Sequence, residues 1–183
     1  MPALDLIRGF PGKPSHPPLT DVSIGAYTAG VAMLVLGALG LEEGPMAHGA
    51  LLAISVGLLA AAPTAITGLI DWLGIEKGTP ARQLGLVHLT AMVTATVLFA
   101  ATWIAQLDGY KDDAIDSLAL VLGILAELVL TAGGYLGGTL VFVYGVRVLK
   151  RRDAPIADAL VPGRAGHEAS DRELALKDPQ PTP

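Results

Sequence analysis

Four long apolar runs separated by short polar connectors leave this chain few ways to fold: Leu19 to Leu41, His48 to Ile70, Leu84 to Gln106, and Ser117 to Val148. A hydrocarbon core about 30 Å thick is crossed by about 20 apolar residues in a helix, so each run is predicted to be a transmembrane helix. The fourth would be about 48 Å long and is expected to protrude toward Arg147. The connectors, at 42 to 47, around 72 to 83 and at 107 to 116, are short and carry Gly, Pro or Asp. Short connectors make consecutive helices antiparallel neighbours. The expected fold class is therefore an all-α membrane protein, an up-and-down four-transmembrane-helix bundle with helices one and three across a diagonal.

Composition agrees: 52% of the residues are apolar and only 16% charged, and the charges fall between the runs and in the tails. There is no cysteine, which removes disulfides, thiolate zinc sites and cysteine-held iron-sulfur clusters. A net charge of -5 offers no basic surface, so no nucleic-acid partner is expected. Residues 1 to 18 read as a Pro-rich leader without a signal-peptide core, 19 to 149 as the transmembrane domain, and 150 to 183 as a largely disordered tail in which Ser170 and Glu173 have capping-box spacing. Near the spans, Arg8, Lys13, Lys77, Arg82, Arg147, Lys150, Arg151 and Arg152 fall on one side and Lys111 alone on the other. The positive-inside rule then places both termini in the cytoplasm. Trp72 and Trp103 sit near opposite ends of spans, as an aromatic belt would have them.

The segments HPPLTDVSIGAY, TAITGLIDW at 64 to 72, RQLGLVHL at 82 to 89 and GGYLGGTLVF at 133 to 142, in that order on four spans, resemble the bacterial membrane family called domain-of-unknown-function 2231. The likeness covers roughly residues 15 to 148. It implies a multi-pass protein of the bacterial inner (plasma) membrane. Some relatives continue into a Rieske-type iron-sulfur domain, which implies an indirect association with redox chemistry; this chain has no such domain.

On this topology His16, Asp21, Asp71, Arg82 and His88 share the cytoplasmic side. Imidazole and carboxylate suit a divalent metal such as Fe, Mn or Zn, giving His16, His88, Asp71 and Asp21 as candidate ligands. Alternatively His16 and His88, on diagonal helices, are candidate axial ligands of haem b. Measured from the hydropathy edges, the two histidines differ in depth by about 10 Å, which argues against a shared ligand. A structural role is the third reading: His16 stands outside a helix begun by Pro17 and Pro18 with its ring free to meet Asp71 or the end of span three, and Arg82 neutralises Asp71.

Glu127 falls about 15 Å into the fourth span, where an unpaired carboxylate is unfavourable. Ser55 and Thr96 are its expected partners, and Gly123, Thr131, Gly134 and Gly138 share its face. Gly133, Gly134, Gly137 and Gly138 make two GxxxG pairs, suited to packing within the bundle or against a second copy. Met33, Met92 and Phe99 read as core, and His48 and His167 as incidental. No nucleophile with a paired base, phosphate loop or metalloprotease spacing is present. Two readings lead: a redox-associated membrane module with a His-based haem or metal site, working with a membrane or redox partner, and a non-catalytic scaffold or partner protein. A proton path from Glu127 to Asp71 and His88 finds few polar residues to carry it.

Overall fold

The structure, a computed structural model, describes residues 7–10, 12–150 and 154–164. A two-residue hairpin, β1 (Gly9–Phe10) and β2 (Lys13–Pro14), precedes four long helices: α1 (His16–Ala38), α2 (Glu43–Leu73), α3 (Pro80–Lys111) and α4 (Ser117–Phe142). A short helix, α5 (Ile156–Leu160), follows. All four long helices have the length and hydropathy to cross a membrane. Ser170 and Glu173 lie outside the described residues, as do Arg151, Arg152 and His167.

Local chemistry sets the ends. Pro17 and Pro18 occupy the first turn of α1, where an N–H would have no intrahelical acceptor. Gly40, at φ +88°, ends that helix. Thr79 caps α3 by accepting from the Arg82 backbone N–H at 3.2 Å, and Asp116 caps α4 by accepting from Ala119 N–H at 2.8 Å. Pro63 sits inside α2 without breaking it; the Thr67 hydroxyl donates back to the Pro63 carbonyl at 2.9 Å.

The helices pack as two extensive hairpins, α1 on α2 and α3 on α4, joined along the α2–α3 and α1–α4 seams. The up-and-down four-helix bundle expected from the sequence is the fold observed, with α1 and α3 on a diagonal. Tyr27, Leu34, Ile54, Phe99 and Leu130 fill its core. Leu52, Leu59, Val97, Ile104 and Leu128 are exposed on its outside, a surface whose natural solvent is lipid. The helices therefore contact the bilayer.

The edges differ from the hydropathy reading: α2 and α3 are longer than their apolar runs at both ends, and two further differences shape the site. α1 begins at His16, ahead of Leu19, because the two prolines start a helix rather than precede one. α4 stops at Phe142 and does not protrude as far as Val148. Gly145 and Arg147 take positive φ of 66° and 62°, the Val146 N–H donates to the Leu140 carbonyl at 3.0 Å, and the chain folds under the bundle. There the Arg147 guanidinium donates to the carbonyls of Arg8 and Gly9 at 3.1 and 2.6 Å. The N-terminal hairpin and the segment after α4 thus close the same end of the bundle.

Candidate functional site

His16 and His88 occupy matching niches. His16 Nδ1 lies 3.0 Å from the Thr64 carbonyl on α2, and His88 Nδ1 lies 2.8 Å from the Gly133 carbonyl on α4. A carbonyl only accepts, so both Nδ1 atoms carry a proton, and in the neutral ring each Nε2 then keeps its lone pair. One turn beyond each carbonyl a glycine makes room for the ring. A Cβ on Gly68 would come within 2.7 Å of His16 Cε1, and one on Gly137 within 2.9 Å of His88 Cε1. No other described residue hydrogen-bonds either Nε2. This is the form in which imidazole acts as a metal ligand, with its second nitrogen fixed by a carbonyl.

The two histidines also lie at one depth. Tyr27 and Phe99 stack face to face with centroids 3.9 Å apart and planes 1° from parallel. Each follows its histidine by the same number of residues, and α1 and α3 run in the same direction. The ring stack therefore fixes His16 and His88 at a common level. The offset of about 10 Å inferred from span edges is corrected here: α1 begins at His16 itself and α3 begins at Pro80, eight residues before His88, so the two helices start at different levels and their starts are no common reference. Both histidines line a single cavity of about 610 Å³, a size ordinary for a ligand or cofactor site. Its walls are mostly apolar, its far end reaches Tyr27 and Thr96, and Gly12, Pro14, Val146 and Leu149 form its floor. On the α2–α3 side its lining includes Val93 and Val97, which are exposed on the lipid face.

Beside the floor, Asp71 is held between two guanidinium groups, with Arg8 Nε at 3.0 Å and Arg147 Nε at 3.1 Å. Arg82, expected to neutralise Asp71, does something else. Its Nη1 donates to the carbonyls of Trp72, Leu73 and Ile75 at 2.9 to 3.1 Å, closing the open end of α2. Its guanidinium lies 4.0 Å over the Trp72 ring, and Trp72 Nε1 donates to the Arg82 carbonyl at 3.0 Å. The α2–α3 connector folds back on itself, so Arg82 is spent locally and leaves Asp71 to the chain ends.

Asp21 is exposed on α1 and does not line the cavity, whereas Asp71 does. Among the described residues, no group of three or more His, Asp or Glu is arranged to hold a metal ion. A profile described as "Predicted membrane protein (DUF2231)" matches residues 12–150, nearly all of the helical domain. The chain belongs to the DUF2231 family. No curated protein and no solved structure matches it. Family membership supports a multi-pass membrane protein and assigns no activity.

In this DUF2231 chain Glu127 bonds neither Ser55 nor Thr96. Thr28 of α1 donates to Glu127 Oε1 at 2.9 Å, and Oε2 is buried without a partner. Ser55 instead accepts from Trp103 Nε1 at 2.8 Å, and Thr96 donates to the Met92 carbonyl. The reason is rotation: Glu127 lies on the α1 flank of α4. Gly123 faces inward, 3.0 Å from Leu34 when given a Cβ, while a Cβ on Gly134 would meet nothing within 4 Å. The GxxxG pairs therefore divide. Gly133 and Gly137 are filled by Met92 and His88, and Gly134 and Gly138 look outward. His48, at the opposite end, is not idle: its Nε2 lies 2.8 Å from the Tyr110 carbonyl and 3.0 Å from Asp113. Sequence reading missed Arg8 and Arg147 as partners of Asp71; a lone buried carboxylate calling for cationic partners was the available signal.

Proposed function

We propose that this chain is a redox-associated membrane module in which His16 and His88 supply Nε2 ligands to one haem b between the diagonal helices α1 and α3. The observation that carries the reading is the shared preparation of the two rings: both Nδ1–H groups are committed to helix carbonyls, both Nε2 lone pairs remain, and both residues line one apolar cavity at one depth. Gly68 and Gly137 form the cradle, since any side chain there would displace the imidazoles. Bound haem would supply one-electron transfer. The protein's part is to fix the tautomers, exclude water and set the local dielectric. The excess of Lys and Arg at this end supports assigning it to the cytoplasmic side, and a bacterial inner membrane is part of the same proposal.

The test is an absorption spectrum, oxidised and dithionite-reduced, of detergent-purified protein made with adequate haem supply, with elemental analysis for Fe, Mn, Zn and Cu. A reducible Soret band that is lost when both histidines are replaced by alanine supports the haem reading. Stoichiometric metal without that band replaces it with a mononuclear site on His16 and His88. A colourless, metal-free protein overturns it and leaves a non-catalytic partner protein, for which the outward Gly134 and Gly138 would be the contact surface.

A further inference from the structure

We infer that the helical domain is two copies of one helix-hairpin unit, α1–α2 and α3–α4, related by a two-fold axis along the bundle, and that the cavity is a two-fold site gripping one ligand equally from both halves. The ligand half of this statement rests on the haem reading above; the repeat does not.

The histidine niches set the register. His16 maps onto His88, and Tyr27 onto Phe99, at one constant spacing between α1 and α3. The carbonyl and glycine that hold them, Thr64 with Gly68 and Gly133 with Gly137, map at a second constant spacing between α2 and α4. Burial largely follows the same two spacings, although buried Val31, Ala47, Leu51 and Thr67 fall on partly buried Trp103, Asp116, Leu120 and Leu136. On α1 and α3, buried Ser23, Tyr27, Gly30, Leu34 and Gly37 fall on buried Ala95, Phe99, Thr102, Gln106 and Gly109. On α2 and α4, buried Ala50, Ile54, Gly57, Thr64 and Asp71 fall on buried Ala119, Gly123, Ala126, Gly133 and Leu140. Helical periodicity would align any two buried stripes at some spacing. It does not require that spacing to be the one already fixed by the histidine hydrogen bonds.

The axis can be located. A residue that touches its own equivalent must lie beside the two-fold, and Tyr27 and Phe99 do so, parallel within 1°. His16 and His88, on the same two helices and about three turns nearer the floor, then face each other across that axis. A ligand on the axis meets the same donor, in the same tautomer, from both sides. That suits a ligand with two equivalent axial positions, such as a metalloporphyrin, over one with a head and a tail. The halves differ at the seams: Glu127 and Thr28, bonded across α1–α4, correspond to Leu58 and Ala100 across α2–α3.

Symmetry makes a prediction that needs no ligand. The chain has no cysteine, so nitroxide labels can be placed at will on the exposed positions Val22, Thr94, Leu59 and Leu128. The pair Val22→Cys with Leu128→Cys is the two-fold equivalent of Thr94→Cys with Leu59→Cys. Double electron–electron resonance on the full chain should give coincident distance distributions for the two pairs. Distributions separated by more than the width of either overturn the repeat, whatever the colour of the protein. On haem-loaded protein, His16→Ala and His88→Ala should give the same altered spectrum, with glutamine substituted should either alanine variant fail to fold. Different spectra with coincident distances overturn the equal grip and keep the repeat. Coincident distances in a colourless protein remove the haem reading and leave the repeat standing.

Discussion

Gly134 and Gly137, three residues apart on α4, differ in what surrounds them. A Cβ at Gly137 would sit 2.9 Å from the His88 ring, while a Cβ at Gly134 would meet nothing within 4 Å. Gly137→Ala is therefore expected to destabilise the detergent-solubilised protein by about 1–3 kcal/mol, as overpacking does, and Gly134→Ala to leave its thermal melt unchanged. Equal melts for the two would show that the niche around His88 is not rigid. Asp71→Asn leaves two guanidinium groups without their shared carboxylate, and a loss of about 3 kcal/mol or more is expected, read as a fall in melting temperature well beyond that of Asp21→Asn on the exposed face. The sequence made His16, His88 and Asp71 visible because imidazole and carboxylate are rare beside apolar spans. It signalled that Asp71 needs a cationic partner but not that the partners are Arg8 and Arg147, since no local pattern joins positions so far apart in the chain.

Helix ends show which caps carry weight. Asp116 accepts from Ala119 N–H, whereas Ser15, at the corresponding place before α1, makes no side-chain cap bond. Asp116→Ala should cost about 1 kcal/mol and Ser15→Ala close to nothing, measured by thermal denaturation. Hydropathy placed all four helices but misjudged their ends at the site, because it averages over prolines and glycines whose backbone geometry decides where a helix starts or stops. The error was consequential for the two histidines, whose depths were measured from helix starts although α3 extends farther toward the site end than α1 does. The orientation of α4 was likewise hidden: a 3.6-residue period identifies a stripe, but which neighbour the stripe faces depends on the arrangement of all four helices.

At the scale of the molecule, the asymmetry of Lys and Arg predicts orientation. Glu76, in the α2–α3 connector, and Asp112, after α3, are exposed at opposite ends of the bundle. In intact cells an impermeant thiol reagent should label Asp112→Cys and reach Glu76→Cys only after permeabilisation; the reverse pattern would turn the protein over. The proposed hairpin repeat is faint in the sequence because the two halves share few identities, among them the histidines, Gly37 with Gly109 and Gly68 with Gly137. What they have in common is where each residue points.

The clasp on Asp71 also has an order in time. A chain inserted from its N-terminus delivers Arg8 first and Asp71 next, while Arg147 and the floor residues Val146 and Leu149 arrive only after the fourth helix. Until then the cavity lacks part of its base although His16, His88, Thr64 and Gly133 have already been made. Assembly therefore has a stage at which the histidines exist and the floor does not, and a guest too large to pass the finished clasp has that interval in which to enter.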